Sequence, residues 1–564
     1  MANTELPDDI EQLKAESRFL RGTLDIGIED PVTGAIAEPD TKLIKFHGIY
    51  QQDDRDERRV RRQALLEPLY SFMLRVRIPG GVLQPQQWLA MDELARRYGN
   101  GTLRLTTRQA VQFHGVFKED LRALVRGLEA TGLDSIAACG DVNRNVICSP
   151  NPVAGQLHPD VQRWAVMLSE RLLPQGNAYE ETWLNKERPS SADRDVEPLY
   201  GKTYLPRKFK IAIAVPPLND VDVFAHDLGF IAIEEAGRLA GFNITVGGGM
   251  GASHDDPETF PRLADVIGFC PGNDALAVAE AVISIQRDHG NRRARKYARL
   301  KYTIETLGLD RFIRELEWRA RTTIEIARPF RFEHNGDRYG WTQGANDRWN
   351  LMLFIENGRL DSVALDALRD VIEQHDGDLR LTPNQNVIIA GVASADRARI
   401  AKHFETSAAA QRFKASPLRR HSMACVALPT CALAMAESER YLPALIDKFD
   451  ALLAKHKLSE TAITVRMTGC PNGCARPYIA EIGMIGKAPG RYNLHLGGAF
   501  DGSRLNRLYR ENITEDEILQ ALDPLLEHYA DKREATETFG NFLVRTGIVH
   551  AVLHGREVRT HVAG

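Results

Sequence analysis

The chain has 564 residues, of which 43% are hydrophobic and 26% charged, and its formal net charge is −4. This length exceeds what one hydrophobic core usually serves, so three or four domains are expected. The slightly acidic balance argues against a generally polyanion-binding surface, and no apolar run approaches the roughly 18 residues that predict a membrane helix.

The N-terminal region, residues 1–70, is predicted to be an arm outside the main fold. Its opening stretch, MANTELPDDIEQLKAESRFL, is acidic and has no apolar core, so it predicts neither a secretory nor a transit peptide. Seven cysteines, an odd number spread over a long chain, do not suggest a disulfide framework. A reducing, cytoplasmic setting is therefore expected, where clustered thiols more often bind metal or do redox work.

Two distant segments repeat one pattern. Residues 103–116 read LRLTTRQAVQFHGV and residues 379–392 read LRLTPNQNVIIAGV, with the shared skeleton LRLT-x-x-Q-x-V-x-x-x-G-V at a separation of 276 residues. Each copy follows a strand-like segment closed by glycine, and a helical stretch stands on either side of each motif. The four predicted helices lie at 85–99, 118–132, 362–375 and 395–407. The pattern predicts a β-α-β-α unit present twice.

A second pair of segments matches more loosely. The run RKFKIAIAVPP (207–217), followed by DLGFIAI and GFNITVGGGMG, parallels AITVRMTGCPNGC (462–474), followed by EIGMIG and RYNLHLGGAFDG. The chain is therefore predicted to be duplicated as A–B–A′–B′. Ligand pockets favour domain boundaries, so a site is expected at the pseudo-two-fold interface.

Four of the seven cysteines are paired in sequence. Cys425 and Cys431 are separated by five residues, and Cys470 and Cys474 by three. Three interpretations are open: buried structural thiols, a structural zinc site, and an iron–sulfur cluster. Zinc ligands mostly lie two to four residues apart, which the first pair fits poorly. A 4Fe–4S cluster, whose larger cubane tolerates wider spacing, is favoured.

The surroundings of these cysteines favour the cluster as well. Pro429 and Thr430 precede Cys431 and a segment of helical composition follows, so Cys431 is predicted near a helix N-terminus, where amides stabilise negative charge on sulfur. Gly469 and Gly473 let the backbone approach inorganic sulfide and donate N–H bonds to it. The remaining cysteines are expected to be structural: Cys139, Cys148 and Cys270.

Basic side chains stand where predicted strands end. They are Arg75, Arg77, Arg104, Arg108, Arg144, Arg207, Lys208 and Lys210. Positions two apart in a strand share a face, so Lys208 and Lys210 are expected to point into one pocket with Phe209 turned away. The same alternation predicts a shared face for Arg75 and Arg77.

Two other features are given ordinary structural roles. The segment RRARKYARLK (292–301) has six basic residues in ten and is expected to be a solvated helix face rather than a nucleic-acid site. His114 is expected to be a packed or second-shell histidine, despite a side chain that titrates near neutral pH.

Taken together, the motifs resemble the sulfite and nitrite reductases that carry siroheme beside a 4Fe–4S cluster, and among them the hemoprotein (β) subunits of the assimilatory, NADPH-dependent type. The resemblance covers nearly the whole chain and rests on FHGIYQQDDRD (46–56), MLRVRIPGG, LRLTTRQAVQFHG, DVNRNVICSPNP, TYLPRKFK, GFNITVGGG, HSMACVALPTC, CPNGC and APGRYNLHLGG. It implies a mixed α/β (α+β) fold with pseudo-two-fold duplication. Two ferredoxin-like halves, 71–136 and 338–410, would form a central domain. Two larger α/β lobes would lie between and after these halves, a first siroheme and substrate lobe (137–337) and a cluster and siroheme lobe (411–564).

The resemblance also implies roles for individual residues. The cluster ligands would be Cys425, Cys431, Cys470 and Cys474, and Cys474 would also be the axial ligand of the siroheme iron. The substrate-binding and proton-delivering quartet would be Arg75, Arg144, Lys208 and Lys210. Siroheme contacts would come from Arg104, Arg108, Gln112, Lys301 and Asn472. One departure from the family is Ala475, where glycine is often found; a methyl group there is not expected to abolish assembly.

The implied activity is the six-electron reduction of sulfite to sulfide in sulfate assimilation and cysteine biosynthesis, with one siroheme and one 4Fe–4S cluster per chain. The chain has no recognisable flavin or NADPH site, so the electrons would come from a flavoprotein (α) subunit that binds FAD, FMN and NADPH. The two subunits would form a hetero-oligomer, with LKAESRFLRGTL (13–24) as a docking element. Neither nucleic acid nor membrane is expected as a partner.

Two other functions stay open. A ferredoxin-dependent sulfite or nitrite reductase would have the same architecture. Outside enzymes, a zinc or iron–sulfur protein whose basic segment contacts nucleic acid predicts a colourless protein, or one with only a broad iron–sulfur band. That second alternative gives no role to the paired cations at the duplicated strand ends.

Overall fold

The structure is a computed structural model that describes residues 9–152, 155–184, 197–254 and 256–560; the first eight residues of the predicted N-terminal arm lie outside these ranges. The strands are β1 Ile49–Asp53, β2 Tyr70–Arg75, β3 Val82–Leu83, β4 Leu103–Leu105, β5 Val111–Val116, β6 Ile147–Cys148, β7 Ile211–Ala214, β8 Leu228–Glu235, β9 Arg238–Val246, β10 Asp265–Pro271, β11 Gly340–Gln343, β12 Arg348–Leu353, β13 Arg359–Leu360, β14 Asp378–Leu381, β15 Val387–Ala393, β16 Ser422–Ala424, β17 Val465–Thr468, β18 Ile482–Ala488, β19 Arg491–Leu496 and β20 Arg507–Ile513. The helices are α1 Asp9–Glu16, α2 Leu24–Glu29, α3 Asp40–Leu43, α4 Arg58–Gln63, α5 Pro85–Tyr98, α6 Leu121–Glu129, α7 Leu157–Arg171, α8 Ala178–Leu184, α9 Ala275–His289, α10 Leu300–Leu307, α11 Leu309–Ala320, α12 Ser362–Ile372, α13 Arg397–Thr406, α14 Pro417–Arg420, α15 Leu442–Lys455, α16 Glu515–Lys532 and α17 Phe539–Arg545. Among the described residues, no helix combines the length and apolarity needed to cross a bilayer.

The two copies of the first repeat form two five-stranded antiparallel sheets that exchange a strand. One sheet has the order β1-β2-β5-β4-β13 and the other β11-β12-β15-β14-β3. The exchange is reciprocal, since Leu360 of β13 pairs with Leu103 of β4 while Leu83 of β3 pairs with Leu379 of β14. Each half therefore completes the sheet of the other, which confirms the predicted ferredoxin-like halves and joins them into one central unit.

Glycine permits the close approach at both exchange points. Gly81 and Gly358 each precede an exchanged strand, with φ of +75° and +74°, a region that L side chains rarely adopt. A Cβ on Gly358 would stand 2.3 Å from the Leu105 carbonyl oxygen, and one on Gly81 would stand 2.9 Å from that of Leu381. The two glycines occupy equivalent places in the duplication.

The helices predicted around the first repeat form as α5, α6, α12 and α13. Helix α12 begins after Asp361, whose carboxylate accepts a hydrogen bond from the Ala364 N–H at 3.0 Å, an N-cap typically worth about 1 kcal/mol. Helix α6 buries one face with helical spacing: Leu121, Leu124, Val125 and Leu128. Local pattern and capping chemistry therefore account for these elements.

The other two sheets show that the looser repeat is also a duplication. Their orders are β6-β7-β8-β9-β10 and β16-β17-β18-β19-β20, each with two parallel pairings followed by two antiparallel ones. Ile211 pairs with Leu228 in one, and Val465 pairs with Ile482 in the other, so both positions differ by 254 residues. The A–B–A′–B′ prediction is confirmed. We call the unit around β6–β10 the first lobe and the unit around β16–β20 the second lobe.

The N-terminal arm packs on the first lobe. Lys14 of α1 is buried, and its Nζ donates to the Leu205 carbonyl at 2.8 Å and lies 3.7 Å from an Asp141 carboxylate oxygen. Burial is the main effect that lowers the pKa of Lys14, against the two carboxylates around it. One face of the predicted docking segment 13–24 is therefore committed to its own chain.

A buried ion cluster joins the two lobes at corresponding positions of the duplication. Asp222 accepts from Arg476 and Arg466 at 2.5 and 2.7 Å, and all three side chains are buried. Asp222 and Arg476 are counterparts, because 476 − 222 = 254. Burial favours the protonated form of Asp222, but the two guanidinium groups overcome this effect and hold its pKa below its usual range.

Asp222→Asn is expected to destabilise the protein by about 3 kcal/mol or more, because it leaves two buried guanidinium groups without their anion. Thermal unfolding of the cofactor-loaded protein checks this as a lowered apparent midpoint. Asp523→Asn is the control, since Asp523 is partly exposed and pairs with Lys455 and His456 at the surface, where such pairs contribute about 1 kcal/mol or less. Equal midpoints for the two variants would contradict a structural role for the cluster.

Candidate functional site

The four cysteines that are paired in sequence also converge in space. Cys425 follows β16, while Cys470 and Cys474 follow β17, its parallel neighbour. The carboxyl ends of parallel strands meet at one edge of a sheet, so three thiols arrive together there. Burial first, and then the charge of Cys474, raises the pKa of each of the other three thiols, including Cys431. The predicted four-thiol set is thus brought into one region.

Amide groups surround the sulfur atoms. The Gly469 N–H donates to Cys425 Sγ at 3.4 Å, and Asn472 Nδ2 lies 3.5 Å from Cys470 Sγ. Hydrogen bonds to cluster sulfurs are one means by which proteins set a reduction potential. The glycine and asparagine of the CPNGC loop region therefore act on the thiols directly.

The prediction of a helix N-terminus at Cys431 is wrong. The next helix, α15, begins eleven residues later. Met435 and Ala436 donate their N–H groups to the Gly469 carbonyl at 2.8 and 3.1 Å, and Ala434 donates to the Cys431 carbonyl at 3.0 Å. These amides are committed to the cysteine loops, so they are not available for the i→i−4 bonds of a helix.

The all-sulfur ligand set fits a metal group. Burial raises the pKa of Cys470 to about 11 and raises those of Cys425 and Cys431 as well, so thiols alone would stay protonated at neutral pH. A bound metal supplies the positive charge that converts such thiols into thiolate ligands. Among the described residues, no three metal-ligating side chains lie close enough together to bind one metal ion. The four ligands of a cubane bind four different irons, so they do not need to lie that close.

The predicted lysines lie beside Cys474. Phe209 is fully buried, whereas Lys208 and Lys210 on either side of it are half-buried, so the two lysines share the face opposite Phe209 as predicted. The Cys474 sulfur acts on the pKa of both lysines and on that of Arg75. One thiol therefore belongs to the four-cysteine set and also faces a cationic pocket.

This pocket carries positive charge that the described residues do not balance. Burial, followed by repulsion from Arg207 and Arg299, lowers the pKa of Lys208 to about 7. Burial and Lys208 together lower the pKa of Lys210 well below its usual value. Neither ammonium group has a hydrogen-bond partner among the described residues. An anionic ligand would restore both charges, so the pocket suits a polycarboxylate cofactor and a small oxyanion.

Arg75 is held by two partners, one of which sequence reasoning missed. Its Nη1 donates to Cys139 Sγ at 2.7 Å, and Gln112 Oε1, in the amide orientation that satisfies both groups, accepts from Nη2 at 2.6 Å. Tyr50 also lies near Cys139, which adds to the effect of burial in raising the pKa of Tyr50. Cys139 was expected to be structural, but it lies at the site, where it holds Arg75. Its position in ACGDVNRN, five residues before Arg144, was the available signal.

Of the other strand-end arginines, Arg144 joins the site and Arg77 does not. Arg144 donates from Nε to the Gly140 carbonyl at 2.8 Å and from Nη1 to the Ala138 carbonyl at 3.0 Å, so its own loop fixes its guanidinium group. Arg77 instead forms an ion pair with Asp134. Burial still alternates through Val76 and Ile78, as the predicted shared face for Arg75 and Arg77 requires, but the ion pair with Asp134 keeps the Arg77 guanidinium group out of the site.

Two predicted siroheme contacts are already bonded to the protein. Arg104 and Arg359 share the carboxylate of Glu439, at 2.7 and 2.6 Å, which ties the central unit to the second lobe. Arg108 donates to backbone carbonyls, including that of Ile211 at 3.0 Å, while its buried Nε has no partner among the described residues. Burial lowers the pKa of Arg108 to about 9. The siroheme roles of both arginines stay predictions.

Lys301 supports the glycine-rich loop next to the cysteines. It is buried, and its Nζ donates to the carbonyls of Gly249 at 3.1 Å, Gly251 at 2.7 Å and Phe260. A Cβ on Gly251 would stand 3.4 Å from the Asn472 carbonyl oxygen. Lys301 therefore shapes the backbone against which the CPNGC loop packs, and its contact with siroheme stays a prediction, as does that of Asn472.

Of the two features given ordinary structural roles, His114 is confirmed and the basic segment is not. His114 is buried, and burial lowers its pKa well below its usual value. The segment 292–301 is mostly not α-helical, because α10 begins only at Leu300 and the residues before it include a short 3₁₀ helix, Arg295–Tyr297. Three of its four arginines pair with acidic groups from other parts of the chain: Arg292 with Glu11, Arg295 with Asp141, and Arg299 with Asp227.

Arg476, two residues beyond Cys474, fixes the cysteine loop and was not singled out from the sequence. It donates to the Thr107 carbonyl at 3.3 Å, to the Pro383 carbonyl at 3.0 Å and to Asp222. Thr107 and Pro383 are corresponding residues of the two LRLT motifs, since 383 − 107 = 276. One buried guanidinium group therefore links both halves of the central unit and both lobes at the junction.

The fold and the site define a class of protein: a duplicated α/β chain with two ferredoxin-like halves and two lobes, in which the second lobe holds a four-thiol set beside a buried cationic pocket. The family model for the nitrite/sulfite reductase ferredoxin-like half domain matches residues 67–131 and 342–406, and that for the nitrite and sulphite reductase 4Fe-4S domain matches residues 163–323. The chain belongs to the nitrite and sulfite reductase family. The 4Fe-4S model matches the first lobe, whereas the four thiols lie in its duplicate.

Named relatives match nearly the whole chain. It is 57% identical over 545 residues to the sulfite reductase [NADPH] hemoprotein beta-component of Myxococcus xanthus, covering 96% of this chain and 97% of the relative. It is 56% identical over 560 residues to the protein of the same name from Anoxybacillus flavithermus, covering 97% of both. Among solved structures, the Mycobacterium tuberculosis NirA protein matches with a TM-score of 0.77 and 25% identity over 95% of each chain. The predicted fold class is confirmed.

Proposed function

We propose that the chain is the catalytic hemoprotein subunit of an NADPH-dependent sulfite reductase, which reduces sulfite to sulfide with six electrons in sulfate assimilation and cysteine biosynthesis. Relatives that share more than half of its residues carry that name. The observation that carries the proposal is Cys474, which belongs to the four-thiol set and also faces Arg75, Lys208 and Lys210. The test is sulfide formation from sulfite by the purified holoprotein with reduced methyl viologen. A holoprotein that forms no sulfide would overturn the proposal.

The residues present fit both cofactors. Cys425, Cys431, Cys470 and Cys474 would hold a 4Fe–4S cluster, with the Cys474 sulfur shared with the siroheme iron, and the unbalanced cations of the pocket would meet the siroheme carboxylates. When bound, these groups supply the electrons and an iron site for the sulfur of sulfite, chemistry that no side chain provides.

The cationic quartet binds the substrate and supplies protons. Arg75 and Arg144, held by the contacts described above, present N–H donors to the sulfite oxygens in a fixed orientation. Lys208 and Lys210 hold protons at Nζ and deliver them as the oxygens leave as water. Burial lowers the pKa of Lys208 from its usual value, which makes its ammonium group a stronger proton donor than that of an exposed lysine.

One cofactor pair per chain is proposed, because only the second lobe carries the thiols. Residues of the second lobe and their counterparts in the first lobe are 254 positions apart at β17 and 276 positions apart at β16. The hydrogen bonds show the second value: the Cys425 N–H donates to the Met467 carbonyl at 3.3 Å, and the Ser149 N–H donates to the Ile213 carbonyl at 3.0 Å. Counting back by these offsets, the counterparts of the four cysteines are Ser149, Gly155, Pro216 and Asp220. None is a thiol, so the first lobe lacks the ligands for a cluster.

The electron donor, a flavoprotein subunit that binds FAD, FMN and NADPH, is proposed to dock on helix α4 and the turn after it. Within the part of the chain that the structure describes, none of the six residues of α4 is buried. The helix carries four arginines, and the segment exposes Val60, Leu65 and Leu66. A short helix with no buried face is marginal by itself, and exposed apolar side chains among charges mark interaction sites. An acidic partner surface would complement the arginines.

This surface lies next to the proposed cluster. Arg55, just before α4, donates from Nη1 to the Ala434 carbonyl at 2.7 Å, so the segment packs against the loop that carries Cys431. Leu433, two residues beyond that ligand, is 66% exposed. A donor seated on α4 would therefore stand at the edge of the cluster, which is where electrons must enter.

Arg59→Glu combined with Arg62→Glu is expected to lower NADPH-driven sulfite reduction about 10-fold or more, because reversed charge repels an acidic donor. The viologen-driven rate should stay unchanged, since a small dye needs no docking surface. Arg311→Glu combined with Arg314→Glu, on exposed positions of α11, is the charge-matched control. Equal losses in both assays, or no loss with NADPH, would contradict docking at α4.

A further inference from the structure

The first lobe has a cavity at the position that corresponds to the cluster site of the second lobe. The four counterparts of the cysteines, Ser149, Gly155, Pro216 and Asp220, all line this one cavity of about 340 Å³. A volume near 300 Å³ is at the lower end of the range for small-molecule sites. The first lobe therefore has a pocket that corresponds to the cluster site but is lined by residues without thiol groups.

This pocket is not a second reductase centre. The pairing of Arg75 with Gln112 in the first half corresponds to the pairing of Met352 with Ile388 in the second, since both pairs hold the same register in their sheets. Met352 and Ile388 are buried and pack together. The guanidinium and amide groups proposed for the reductase site are thus replaced by apolar side chains, so the ligand of the first-lobe pocket must be a different molecule.

The floor of the pocket is a buried carboxyl group with acceptor capacity to spare. Asp220 is 0% exposed, and its Oδ1 accepts from Ser149 Oγ at 2.6 Å while its Oδ2 accepts from Asn151 Nδ2 at 3.0 Å. A carboxylate offers about four lone-pair sites, so each oxygen retains one. Burial, with a smaller contribution from the Asp337 carboxylate, raises the pKa of Asp220 to about 7, and among the described residues no cationic side chain bonds to the Asp220 carboxylate.

The rim of the pocket offers the opposite charge close by. Arg338 is half-buried, and within the described ranges its guanidinium group forms no hydrogen bond or ion pair. Arg338 is near enough to Asp220 to lower its pKa in part. His158, also at the wall, is neutral at pH 7, because burial lowers its pKa to about 4. Pro216 and Pro217 give an apolar wall between these groups.

We propose that the first-lobe pocket binds a small zwitterionic α-amino acid, with the ammonium group on Asp220, the carboxylate on Arg338 and the side chain along Pro216 and Pro217. An α-amino acid carries a cation and an anion one carbon apart. These two charges are opposite to those of the Asp220 carboxylate and the Arg338 guanidinium group, which are near enough for one to affect the pKa of the other. Nothing in the reductase chemistry requires this site.

Isothermal titration of the holoenzyme with L-serine, ethanolamine and glycolate at pH 7 tests the assignment, because the second and third ligands each lack one of the two charges. L-serine is expected to bind in the millimolar range or more tightly, with the two single-charge ligands about 10-fold weaker or worse. Its heat should depend on the buffer, since the ammonium group draws the pKa of Asp220 below 7 and releases a proton. Arg338→Gln and Asp220→Asn should each weaken L-serine binding about 10-fold or more, while Arg331→Gln, on an exposed arginine outside the pocket lining, should not.

Three results would overturn the proposal. They are the absence of binding at about 50 mM L-serine, binding that Arg338→Gln leaves unchanged, and ethanolamine binding as tightly as L-serine, which would make the pocket a site for simple amines. Arg338 lies at the rim, so its variant keeps the test valid if Asp220→Asn disturbs folding. Viologen-driven sulfite reduction should be unchanged in Arg338→Gln, which confirms that any lost binding is local.

Discussion

Cys474→Ser is expected to abolish sulfite reduction and to remove most of the bound iron. Its sulfur is the one position that belongs to the four-thiol set and also faces the cationic pocket. A serine hydroxyl is a harder and far less acidic ligand than a thiol, so it does not replace thiolate in an iron–sulfur site. The loss of rate should exceed the roughly 100-fold that removal of an outer-shell partner of a metal can cost. Viologen-driven sulfide formation and iron per chain measure both effects.

The matched control for this variant is Cys270→Ser. Cys270 is a buried thiol in β10 of the first lobe, paired across the sheet with Phe242 and remote from the four-thiol set. Its substitution should leave iron content and rate close to those of the unaltered protein. A Cys474→Ser protein that keeps its iron, its visible bands and its rate would contradict the assignment of Cys474.

Lys208→Met is expected to slow sulfite reduction about 100-fold, because one preorganised positive group commonly contributes that much to a partly desolvated site. Methionine keeps the length of the side chain and removes the charge, so the four-thiol set should still assemble. The ammonium group has no other partner among the described residues, so its removal leaves no protein group unpaired. The rate at saturating and limiting sulfite, and the visible spectrum of the same sample, are the measurements.

Lys202→Met serves as the matched control for Lys208→Met. Lys202 is exposed and lies only six residues away in sequence, so its loss should change the rate little. If Lys208→Met lowers the rate no more than Lys202→Met while iron content is equal, Lys208 is not part of the substrate site.

The duplication could be predicted because both copies keep the same local sequence pattern. The LRLT motifs and the helices around them follow from periodicity, capping and turn residues, which depend on near neighbours. The alternation that buries Phe209 and turns Lys208 to the opposite face could likewise be predicted from a few neighbouring residues. The exchange of β3 and β13 could not be predicted, because strands of two residues carry no pattern and their partners lie 296–298 and 255–257 positions away.

The partners of individual charges were beyond sequence reasoning for the same reason. Arg104 meets Glu439 across 335 positions, and nothing local to either residue marks the pair. Cys431 was expected at a helix start because its neighbours are helix formers, but their amides bond to the Cys431 and Gly469 carbonyls instead. Tertiary contacts override propensity where a ligand set must be built. Cys139 was missed because a lone cysteine gives no spacing to interpret.

The central claim is that one siroheme and one 4Fe–4S cluster share the Cys474 sulfur. The most direct test is the visible absorption spectrum of the purified protein, with iron and acid-labile sulfide counted on the same sample. The account predicts a Soret band with a siroheme-type red band, and about five irons and four sulfides per chain. A colourless protein containing zinc, or four irons and four sulfides with no Soret band, would contradict it.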